Sequence, residues 1–374
     1  MMVTSMVDLL IDLAALDYNY RSLRRLCTPQ VKLLGVVKAD AYGHGLVPVA
    51  RKLVAAGADY LGVGSLDEGL TLRRSGLALP LLLLLGILPK EAESAVGAYM
   101  EVALFRKDVA QAMEAAAQAQ GRKARVHLKV DTGMGRLGLL PQDVLPFLEE
   151  LKNYRHLEVQ GLISHLAMAE IEDKTYTRRQ LQDFTTLLGE ARQRGWKLPL
   201  SHIANSAALG EMPEAHFALV RPGIMLYGSP AHPHRPPPVE LRPVMSVTTQ
   251  VLQLKRLPPE SSISYGCTYT TADWCDLAIL PIGYCNGYLR QLSNKGEVLI
   301  QGRRAPIRGR VCMNLIMVEV THIPGVKEGD RVTILGADGD ARLTADDLAG
   351  WGQTISYEIY CALGTANPRR YVGV

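Results

Sequence analysis

The chain has little net charge, few cysteines and no long apolar run. Its 374 residues carry a formal net charge of +4 with acids and bases interspersed, which argues against nucleic acid or an anionic membrane as a partner. The six cysteines form no CxxC pair and have no metal-ligand spacing, so we expect no metal site and cytoplasmic, reduced thiols. The longest apolar run, 77–88, is too short to span a bilayer and contains Pro80 and Gly86. Residues 1–16 hold two aspartates and no basic leader, unlike a signal peptide.

Short Val/Ile/Leu-rich runs alternate with amphipathic helical patterns between residues 30 and 225. We predict strands at 33–37, 59–63, 81–85, 101–105, 125–130, 158–163, 199–203 and 217–220. Uninterrupted apolar strands separated by helices are typical of a parallel sheet that is covered on both faces. Eight such units predict an α/β fold, a closed (β/α)8 TIM-type barrel.

The pattern changes after a proline-rich segment at 229–243, which we interpret as a stiff connector. His232 and His234 lie inside it and are better explained as linker residues than as metal ligands. Beyond it, alternating runs at 244–257, 277–282, 297–300, 313–320 and 331–335 predict antiparallel strands, with a short helix at 344–351. We therefore predict a barrel domain at 1–235 and a β-strand-rich C-terminal domain at 236–374.

A glycine motif at 133–138 matches GxGxxG and requires that a nicotinamide dehydrogenase be considered. In a dinucleotide fold this motif closes the first strand and runs straight into a helix, and an acid ends the second strand. Here four strand-like units come before the strand that the motif follows, and Pro141 delays the helix. The next strand ends in Ser164-His165 without an acid, so the context argues against this reading.

Lys38 is the most informative residue, because it ends the apolar run 32–38 and precedes a glycine-rich turn. A lysine that is removed from water titrates below its free pKa of about 10.4, which leaves part of it neutral and nucleophilic. Such an amine is what a Schiff base to an aldehyde cofactor requires. The alternative is a lysine that extends into solvent from a strand end.

Polar side chains follow several predicted strands where each strand ends. They are Lys38 after the first, Asp131, Thr132 and Arg136 after the fifth, Ser164 and His165 after the sixth, Asn205 and Ser206 after the seventh, and Arg221 after the eighth. Each of these residues taken alone could have a purely structural role, but all lie on the rim where barrel enzymes build active sites.

The loops after strands seven and eight form the usual phosphate site of this fold. Ser206, interpreted as a helix cap, offers a hydroxyl, and Gly223 allows backbone N–H groups to approach an anion. Together with an imine-forming lysine this site indicates pyridoxal phosphate. A class I aldolase uses the same pair of features and stays open at this point.

Several motifs together resemble the alanine racemase family. They are the segments at 36–45, 128–138, 220–224, 264–266, 281–284, 309–313 and 356–358, which occur in the family's order from about residue 11 to 372. The resemblance implies a barrel with a β-rich domain and a homodimer whose active sites combine one barrel with the partner's β-rich domain. It also implies pyridoxal-phosphate-dependent interconversion of L-alanine and D-alanine, which supplies D-alanine for cell-wall peptidoglycan.

The resemblance assigns roles to individual residues. Lys38 would hold pyridoxal phosphate, whose phosphate group would be bound by Tyr42, Ser206, Gly223, Ile224 and Tyr357. Arg136 and Met313 would meet the substrate carboxylate, and Tyr265 would come from the other subunit. Lys129 resembles a lysine that many members carry as a carbamate, whose charge would orient Arg136.

Racemisation needs two proton-transfer groups on opposite faces of the substrate, and Lys38 and Tyr265 are suited to these roles. His165 and Arg221, one behind the other, could stabilise the tyrosine anion. Arg221 would also meet the pyridine nitrogen, where a guanidinium can only donate, so that nitrogen stays unprotonated. This favours racemisation over transamination or decarboxylation.

Three positions depart from the family pattern. Asn314 and Asn286 replace aspartates, and Glu170 replaces an aspartate near the substrate entrance. Tyr284, Arg290 and Arg310 resemble the retained entrance residues, and a narrow entrance favours a small side chain. We therefore expect alanine as substrate, with a serine or broad-specificity amino-acid racemase as the alternative. A lone-barrel cofactor carrier and a barrel decarboxylase are further alternatives, but the first would lack Tyr265 and the second would use an acid in place of Arg221.

Overall fold

The N-terminal part of the chain is a curled parallel sheet whose strands alternate with helices. The computed structural model describes residues 6–232 and 235–374. The first eight strands in chain order are β1 (Asp8–Asp12), β2 (Lys32–Val36), β3 (Tyr60–Val63), β4 (Leu81–Leu83), β5 (Met100–Leu104), β6 (Ala124–Lys129), β7 (Leu157–Ile163) and β8 (Leu219–Val220). Strands β2 to β8 pair in parallel in the order β7-β6-β5-β4-β3-β2-β8. Most of their residues are buried, as in a sheet covered on both faces.

An extended segment at 199–204 closes this sheet between β7 and β8. Its backbone hydrogen bonds join Leu200 N–H to Gln160, His202 N–H to Leu162, Ala218 N–H to Ser201 and Arg221 N–H to Ala204. The predicted strand at 199–203 is therefore not a regular strand, although it occupies the barrel position between β7 and β8. The pairing is irregular because Pro199 has no N–H, and because the Ser201 hydroxyl, rather than a backbone carbonyl, accepts the Leu162 N–H at 3.1 Å.

The helices follow the predicted alternation. They are α1 (Leu13–Arg24), α2 (Lys38–Tyr42), α3 (Leu46–Ala56), α4 (Leu66–Arg74), α5 (Ala92–Gly97), α6 (Lys107–Ala119), α7 (Pro141–Leu151), α8 (Thr175–Gln193), α9 (Ser206–Glu211), α10 (Ala345–Gly352) and α11 (Ser356–Ala366). Among the described residues, no helix is both long and apolar enough to cross a membrane.

The C-terminal part is rich in antiparallel strands, as predicted. The strands of this part are β9 (Met245–Gln250), β10 (Gln253–Leu257), β11 (Ser262–Ile263), β12 (Tyr269–Thr270), β13 (Cys275–Leu280), β14 (Glu297–Ile300), β15 (Arg303–Pro306), β16 (Ile316–Glu319), β17 (Arg331–Asp338), β18 (Ala341–Leu343) and β19 (Arg369–Val372). The long strand predicted at 244–257 is in fact β9 and β10, which belong to different sheets.

Strand β1 lies outside the barrel and joins the C-terminal sheet, whose order is β15-β14-β17-β9-β1-β19. It runs antiparallel to β9 and parallel to β19. The domain division between residues 235 and 236 stays a prediction. The N-terminal strand β1 belongs to the sheet of the C-terminal domain, so the predicted division does not separate the two sheets completely. Of the predicted connector, residues 233 and 234, including His234, lie outside the described residues, and His232 Nε2 lies 2.5 Å from the carboxylate of Glu211.

Candidate active site

The polar residues predicted on one rim do follow the C-terminal ends of neighbouring barrel positions. Lys38 follows β2, Asp131 and Arg136 follow β6, His165 follows β7, Ser206 follows the closing segment and Arg221 follows β8. Parallel strands place these ends on the same side of a barrel. Two further rim residues brace the loops, because the hydroxyls of Thr132 and Ser164 are hydrogen-bonded at 2.8 Å.

The segment α2, which carries Lys38 and Tyr42, is a left-handed turn rather than a regular right-handed helix. The four consecutive residues 39–42 have φ values between 52° and 55°, a conformation that costs L-residues about 1–2 kcal/mol each. Glycine is needed just after the turn, where a Cβ on Gly43 would lie 2.4 Å from the backbone oxygen of Tyr360. Strain of this kind persists only where the surroundings determine it, and it is concentrated at functional sites.

Two carboxylates hold this turn in place. Glu68 accepts hydrogen bonds from the N–H groups of Gly64 at 2.7 Å and Asp40 at 3.1 Å. The Asp40 carboxylate accepts from the N–H of Leu46 at 2.6 Å and pairs with Arg369 at 2.6 Å. The strained turn is thus fixed to the next barrel loop, to α3 and to the C-terminal strand β19.

The amine of Lys38 has the lowered pKa expected from its position. Burial is the main cause that lowers its pKa, the charge of Arg136 lowers it further, and Glu68 opposes the change. The surroundings therefore support the prediction of a desolvated lysine at this strand end. Because its pKa is lowered, the Lys38 amine loses its proton more readily than a lysine in water.

Lys129 is a second buried amine on the rim, only 7% exposed. Burial and the charges of Arg221 and Arg136 lower its pKa well below the usual value, while Asp131 opposes them. Four basic side chains thus lie close together on this rim, and their charge favours ligands that carry negative charge. They are Lys38, Lys129, Arg136 and Arg221.

A cradle of hydroxyl and backbone N–H groups lies between α2, α9 and the loop after β8. The Gly223 N–H donates to the Ser206 hydroxyl at 2.9 Å. A Cβ on Gly223 would lie 2.4 Å from the Tyr42 hydroxyl oxygen, so only glycine leaves this space open. Ser206 is not the helix cap that the sequence suggested, because Asn205 caps α9 and its side chain accepts the Ala208 N–H. The Ser206 hydroxyl instead faces the adjoining loop, and Ile224 follows Gly223 at the start of a short 3₁₀ helix.

Tyr357 brings the C-terminal domain to the same cradle. Its ring lies 5.6 Å from that of Tyr42, which in turn lies 4.8 Å from Tyr227. Burial, with the nearby charges of Glu170 and Asp346, raises the pKa of Tyr357 to about 12. Its hydroxyl therefore stays protonated at neutral pH and can donate to an anion.

Arg221 is buried beneath the rim and donates to several acceptors. It contacts the backbone oxygens of Ser164 at 2.7 Å and Ile203 at 3.0 Å, and the imidazoles of His202 at 2.8 Å and His165 at 3.3 Å. Burial lowers the pKa of Arg221 to about 9, which still leaves the guanidinium charged at neutral pH. Burial and the neighbouring cations lower the pKa of His165 well below its usual value, so this imidazole is neutral.

The glycine motif at 133–138 forms a loop that is held by one carboxylate. The side chain of Asp131 accepts N–H groups from the four residues 133–136, including that of Arg136. Helix α7 begins only at Pro141, so this loop does not present a helix end to a ligand. It serves instead to position Arg136 beside Lys38 and Lys129.

Tyr265 and Met313 lie on the C-terminal domain and are not brought to Lys38 within the described chain. Tyr265 is 71% exposed on a short turn and Met313 is 55% exposed. In the described part of the chain, the Tyr265 hydroxyl has no hydrogen-bond partner.

Two of the residues that depart from the family pattern have local partners. The Asn314 side chain donates to the Cys285 sulfur at 2.8 Å. Asn286 accepts the Gly283 N–H at 3.2 Å and donates to Asn367 at 3.3 Å. Asn286 therefore shapes its own turn, whereas Asn314 lies exposed beside Met313.

Sequence reasoning missed Glu68 and His202. Glu68 lies in the first turn of α4, and its charge raises the pKa of Lys38 against the effect of burial. His202 is fully buried in the closing segment and accepts from Arg221. For His202 the available signal was a polar residue within a largely apolar segment, which needs a partner wherever it is buried, whereas Glu68 lies among polar residues and gave no such signal.

Comparison with known proteins gives a consistent result. Residues 11–230 match the family described as alanine racemase, N-terminal domain, and residues 244–371 match alanine racemase, C-terminal domain. The chain is 46% identical to an alanine racemase of Syntrophobacter fumaroxidans, with 95% of this chain and 94% of the relative covered.

Two solved structures have similar folds. The alanine racemase of Bacillus anthracis with bound L-Ala-P matches with a TM-score of 0.92 at 33% identity, covering 100% of this chain and 96% of that one. The alanine racemase of Bartonella henselae with covalently bound pyridoxal phosphate matches with a TM-score of 0.89 at 29% identity, covering 98% of this chain and 100% of that one.

Proposed function

The chain belongs to the alanine racemase family, and on that premise we propose that it binds pyridoxal 5'-phosphate on the barrel rim and interconverts L-alanine and D-alanine. The observation that carries the proposal is a lysine with a lowered pKa on the same rim as a hydroxyl-and-amide cradle. When bound, the cofactor supplies the electron-withdrawing ring that makes the α-proton of an amino acid labile.

The residues of the rim fit this cofactor. Lys38 would hold its aldehyde covalently, and the phosphate would lie in the cradle against Tyr42, Ser206, Gly223, Ile224 and Tyr357. The cradle suits a phosphate because it combines hydroxyls with backbone N–H groups and excludes any Cβ at position 223.

Arg221 would face the pyridine nitrogen. Its guanidinium donates to every partner it has and has no acceptor to offer, so the nitrogen that it meets stays unprotonated. A weaker electron sink limits stray protonation on the cofactor, which would lead to transamination. A decarboxylase of related architecture would present an acid at this place.

Proton transfer at the α-carbon is assigned to two groups. The Lys38 amine takes or returns the proton on one face, and the Tyr265 hydroxyl does so on the other. His165 accepts from Arg221 through Nδ1, so its proton is on Nε2 and can be donated to the tyrosine oxygen. The pair of His165 and Arg221 thus stabilises that oxygen when it has lost its proton.

Arg136 and Met313 are assigned to the substrate carboxylate. Arg136 is held by Asp131 and influences the pKa of Lys38, which places its charge beside the reacting amine. Lys129 would orient Arg136 more strongly as a carbamate, because its negative charge would then face the guanidinium.

We also propose a homodimer in which Tyr265 and Met313 complete the partner's site. This is supported by a set of exposed large side chains on the C-terminal domain, namely Tyr265, Tyr284, Met313, Leu315 and Ile355. Tyr284 and Met313 are adjacent, since the backbone N–H groups of Tyr284 and Cys285 donate to Cys312 and Met313, and clustered apolar side chains on a surface are typical of an interface.

Subunit complementation tests the shared site. Lys38→Ala and Tyr265→Ala chains are each expected to be inactive, because each lacks one proton-transfer group. After denaturation and refolding together, mixed dimers should regain one intact site each, giving about a quarter of wild-type activity by random pairing. No recovery, with mixed dimers shown to form, would contradict the shared site.

The overall activity is tested by incubation of the holoenzyme with L-alanine and separate detection of D-alanine, carbon dioxide and pyruvate. We expect D-alanine as the main product. Borohydride should fix the cofactor on the peptide that contains residue 38. Carbon dioxide without D-alanine, or labelling elsewhere, would overturn the proposal.

The alternative is a serine or broad-specificity racemase. It is favoured by Asn314, which lies exposed beside Met313 without the negative charge that the family pattern leads us to expect. Glu170, close enough to raise the pKa of Tyr357, keeps a charge near the cradle. A panel of L-amino acids assayed for the opposite enantiomer distinguishes the two, and Asn314→Asp should narrow the range if this residue sets it.

We further propose that the enzyme is cytoplasmic and supplies D-alanine for cell-wall peptidoglycan. The location is supported by six cysteines that are all unpaired, as is usual in a reducing compartment. Deletion of the gene should then make growth dependent on added D-alanine. Growth that is unaffected by deletion, in a cell without a second racemase, would contradict this role.

A further inference from the structure

A carboxylate is buried in the barrel at a distance from the rim. Glu101 lies near the beginning of β5, and rim residues follow the ends of strands. It is only 3% exposed within an otherwise apolar strand. A buried carboxylate is costly unless it is paired and hydrogen-bonded, so its partners indicate its purpose.

Hydrogen bonds connect Glu101 to Arg221 through two histidines. Glu101 Oε2 lies 2.8 Å from His127 Nε2, and His127 Nδ1 lies 3.1 Å from His202 Nε2. His202 Nδ1 lies 2.8 Å from the Arg221 guanidinium. Both histidines are fully buried, so the chain of contacts is shielded from water.

The direction of every bond in this chain follows from Arg221. A guanidinium can only donate, so His202 Nδ1 must accept and its proton must be on Nε2. That proton is donated to His127 Nδ1, which places the His127 proton on Nε2, facing Glu101. An ionised carboxylate can only accept hydrogen bonds, so Glu101 requires a proton on His127 Nε2. This is the same proton position that Arg221 requires from the other end of the chain.

We propose that Glu101 is a positioning residue for racemisation, which acts through His127 and His202 to fix the orientation of Arg221 beneath the cofactor ring. This inference rests on the proposed function, because it is that function which places Arg221 at the pyridine nitrogen. Glu101 itself does not touch substrate or cofactor.

The charges around both ends support this assignment. Arg221 has no carboxylate within ion-pair distance in the described part of the chain, so Glu101 is the anion to which its hydrogen bonds lead. Glu101 also meets the Tyr60 hydroxyl at 3.4 Å and Arg125 at 3.7 Å. Arg125 is more than half exposed, whereas the bond to His127 is the shortest and most buried.

Nitrogen NMR on histidine-labelled protein tests the directed chain without reference to activity. The chain has only nine histidines, so few signals must be assigned. We expect His127 and His202 to be neutral and to carry their protons on Nε2, with or without cofactor. Glu101→Gln should preserve this pattern, because its amide oxygen can still accept. Glu101→Leu should leave the His127 proton without an acceptor and disturb the pattern in both rings.

Kinetics then test the functional consequence. Glu101→Leu should lower kcat about tenfold, the size expected when one buried hydrogen bond is lost, with KM for alanine unchanged. Glu101→Gln should stay within about threefold of wild type. Tyr60→Phe is the matched control, since it removes a hydroxyl from the same carboxylate outside the chain of histidines, and we expect it to keep wild-type kcat.

The outcomes separate this inference from the proposed function. Absence of racemisation in the wild-type protein would refute the function, and the histidine tautomers would remain measurable. An active wild type in which His127 carries its proton on Nδ1, or in which folded Glu101→Leu keeps wild-type kcat, would overturn the role of Glu101. If Glu101→Leu does not fold, a loss of kcat of about tenfold in Tyr60→Phe would overturn it as well, because that change leaves the bond between Glu101 and His127 intact.

Discussion

The substitution Gly223→Ala probes the phosphate cradle directly. Gly223 has a negative φ of −123°, so the test depends on the space that a Cβ would occupy rather than on a left-handed backbone. The added Cβ would lie 2.4 Å from the Tyr42 hydroxyl oxygen, about 1 Å closer than an ordinary contact. Tyr42 cannot move away freely, because it is buried and its ring lies against those of Tyr227 and Tyr357.

The size of the effect follows from the cost of overpacking. Relieving such a contact costs about 1–3 kcal/mol in a well-packed site, which corresponds to about 5- to 150-fold in the Kd for pyridoxal phosphate. The cofactor also loses space in the cradle, so we expect the upper part of this range. The measurement is a titration of apoenzyme with cofactor, followed by absorbance or fluorescence.

Two further variants make this test sharp. Gly189→Ala introduces the same methyl group in α8, where nothing lies within 4 Å, and should leave the Kd unchanged. Tyr42→Phe should weaken binding by the loss of one hydroxyl, yet it removes the atom that the new Cβ meets. The double variant should therefore bind more tightly than the sum of the two single losses predicts. Wild-type affinity in Gly223→Ala, or strict additivity, would refute the reasoning.

Two other predictions concern the neighbouring loop. The lowered pKa of Lys129 increases the neutral fraction of its amine, which can form a bond to the carbon of CO₂ and release a proton, so ¹³C-bicarbonate should give a carbamate signal that Lys129→Ala abolishes. A signal that persists in this variant would exclude the site. Burial raises the pKa of Asp131, but backbone N–H donors lower it on balance, so its contribution to stability is present above pH 4 and is lost as the pH falls through the folded pKa. Asp131→Ala should lower the free energy of unfolding by about 1–2 kcal/mol at pH 7, and urea unfolding should show the difference vanishing once the pH is below the folded pKa of Asp131. A difference that stays constant with pH would count against this.

Local patterns in the sequence determined the elements and the chemistry they carry. Apolar runs that alternate with helical patterns indicated the parallel barrel, because strands covered on both faces need continuous apolar residues. Lys38 and Gly223 were recognisable because a lysine at the end of a buried run and a glycine at a phosphate loop are unusual for physical reasons. Such features are properties of a few neighbouring residues.

Only the tertiary structure decided which distant residues share an environment. The pairing of β1 with β19, the two sheets within 244–257 and the closing segment at 199–204 depend on partners far along the chain. The same holds for Glu101, His127 and His202, which lie on separate barrel positions and become a directed chain only when the barrel closes. Hydrogen bonds and burial act between side chains in space, and the order of residues along the chain does not contain those distances.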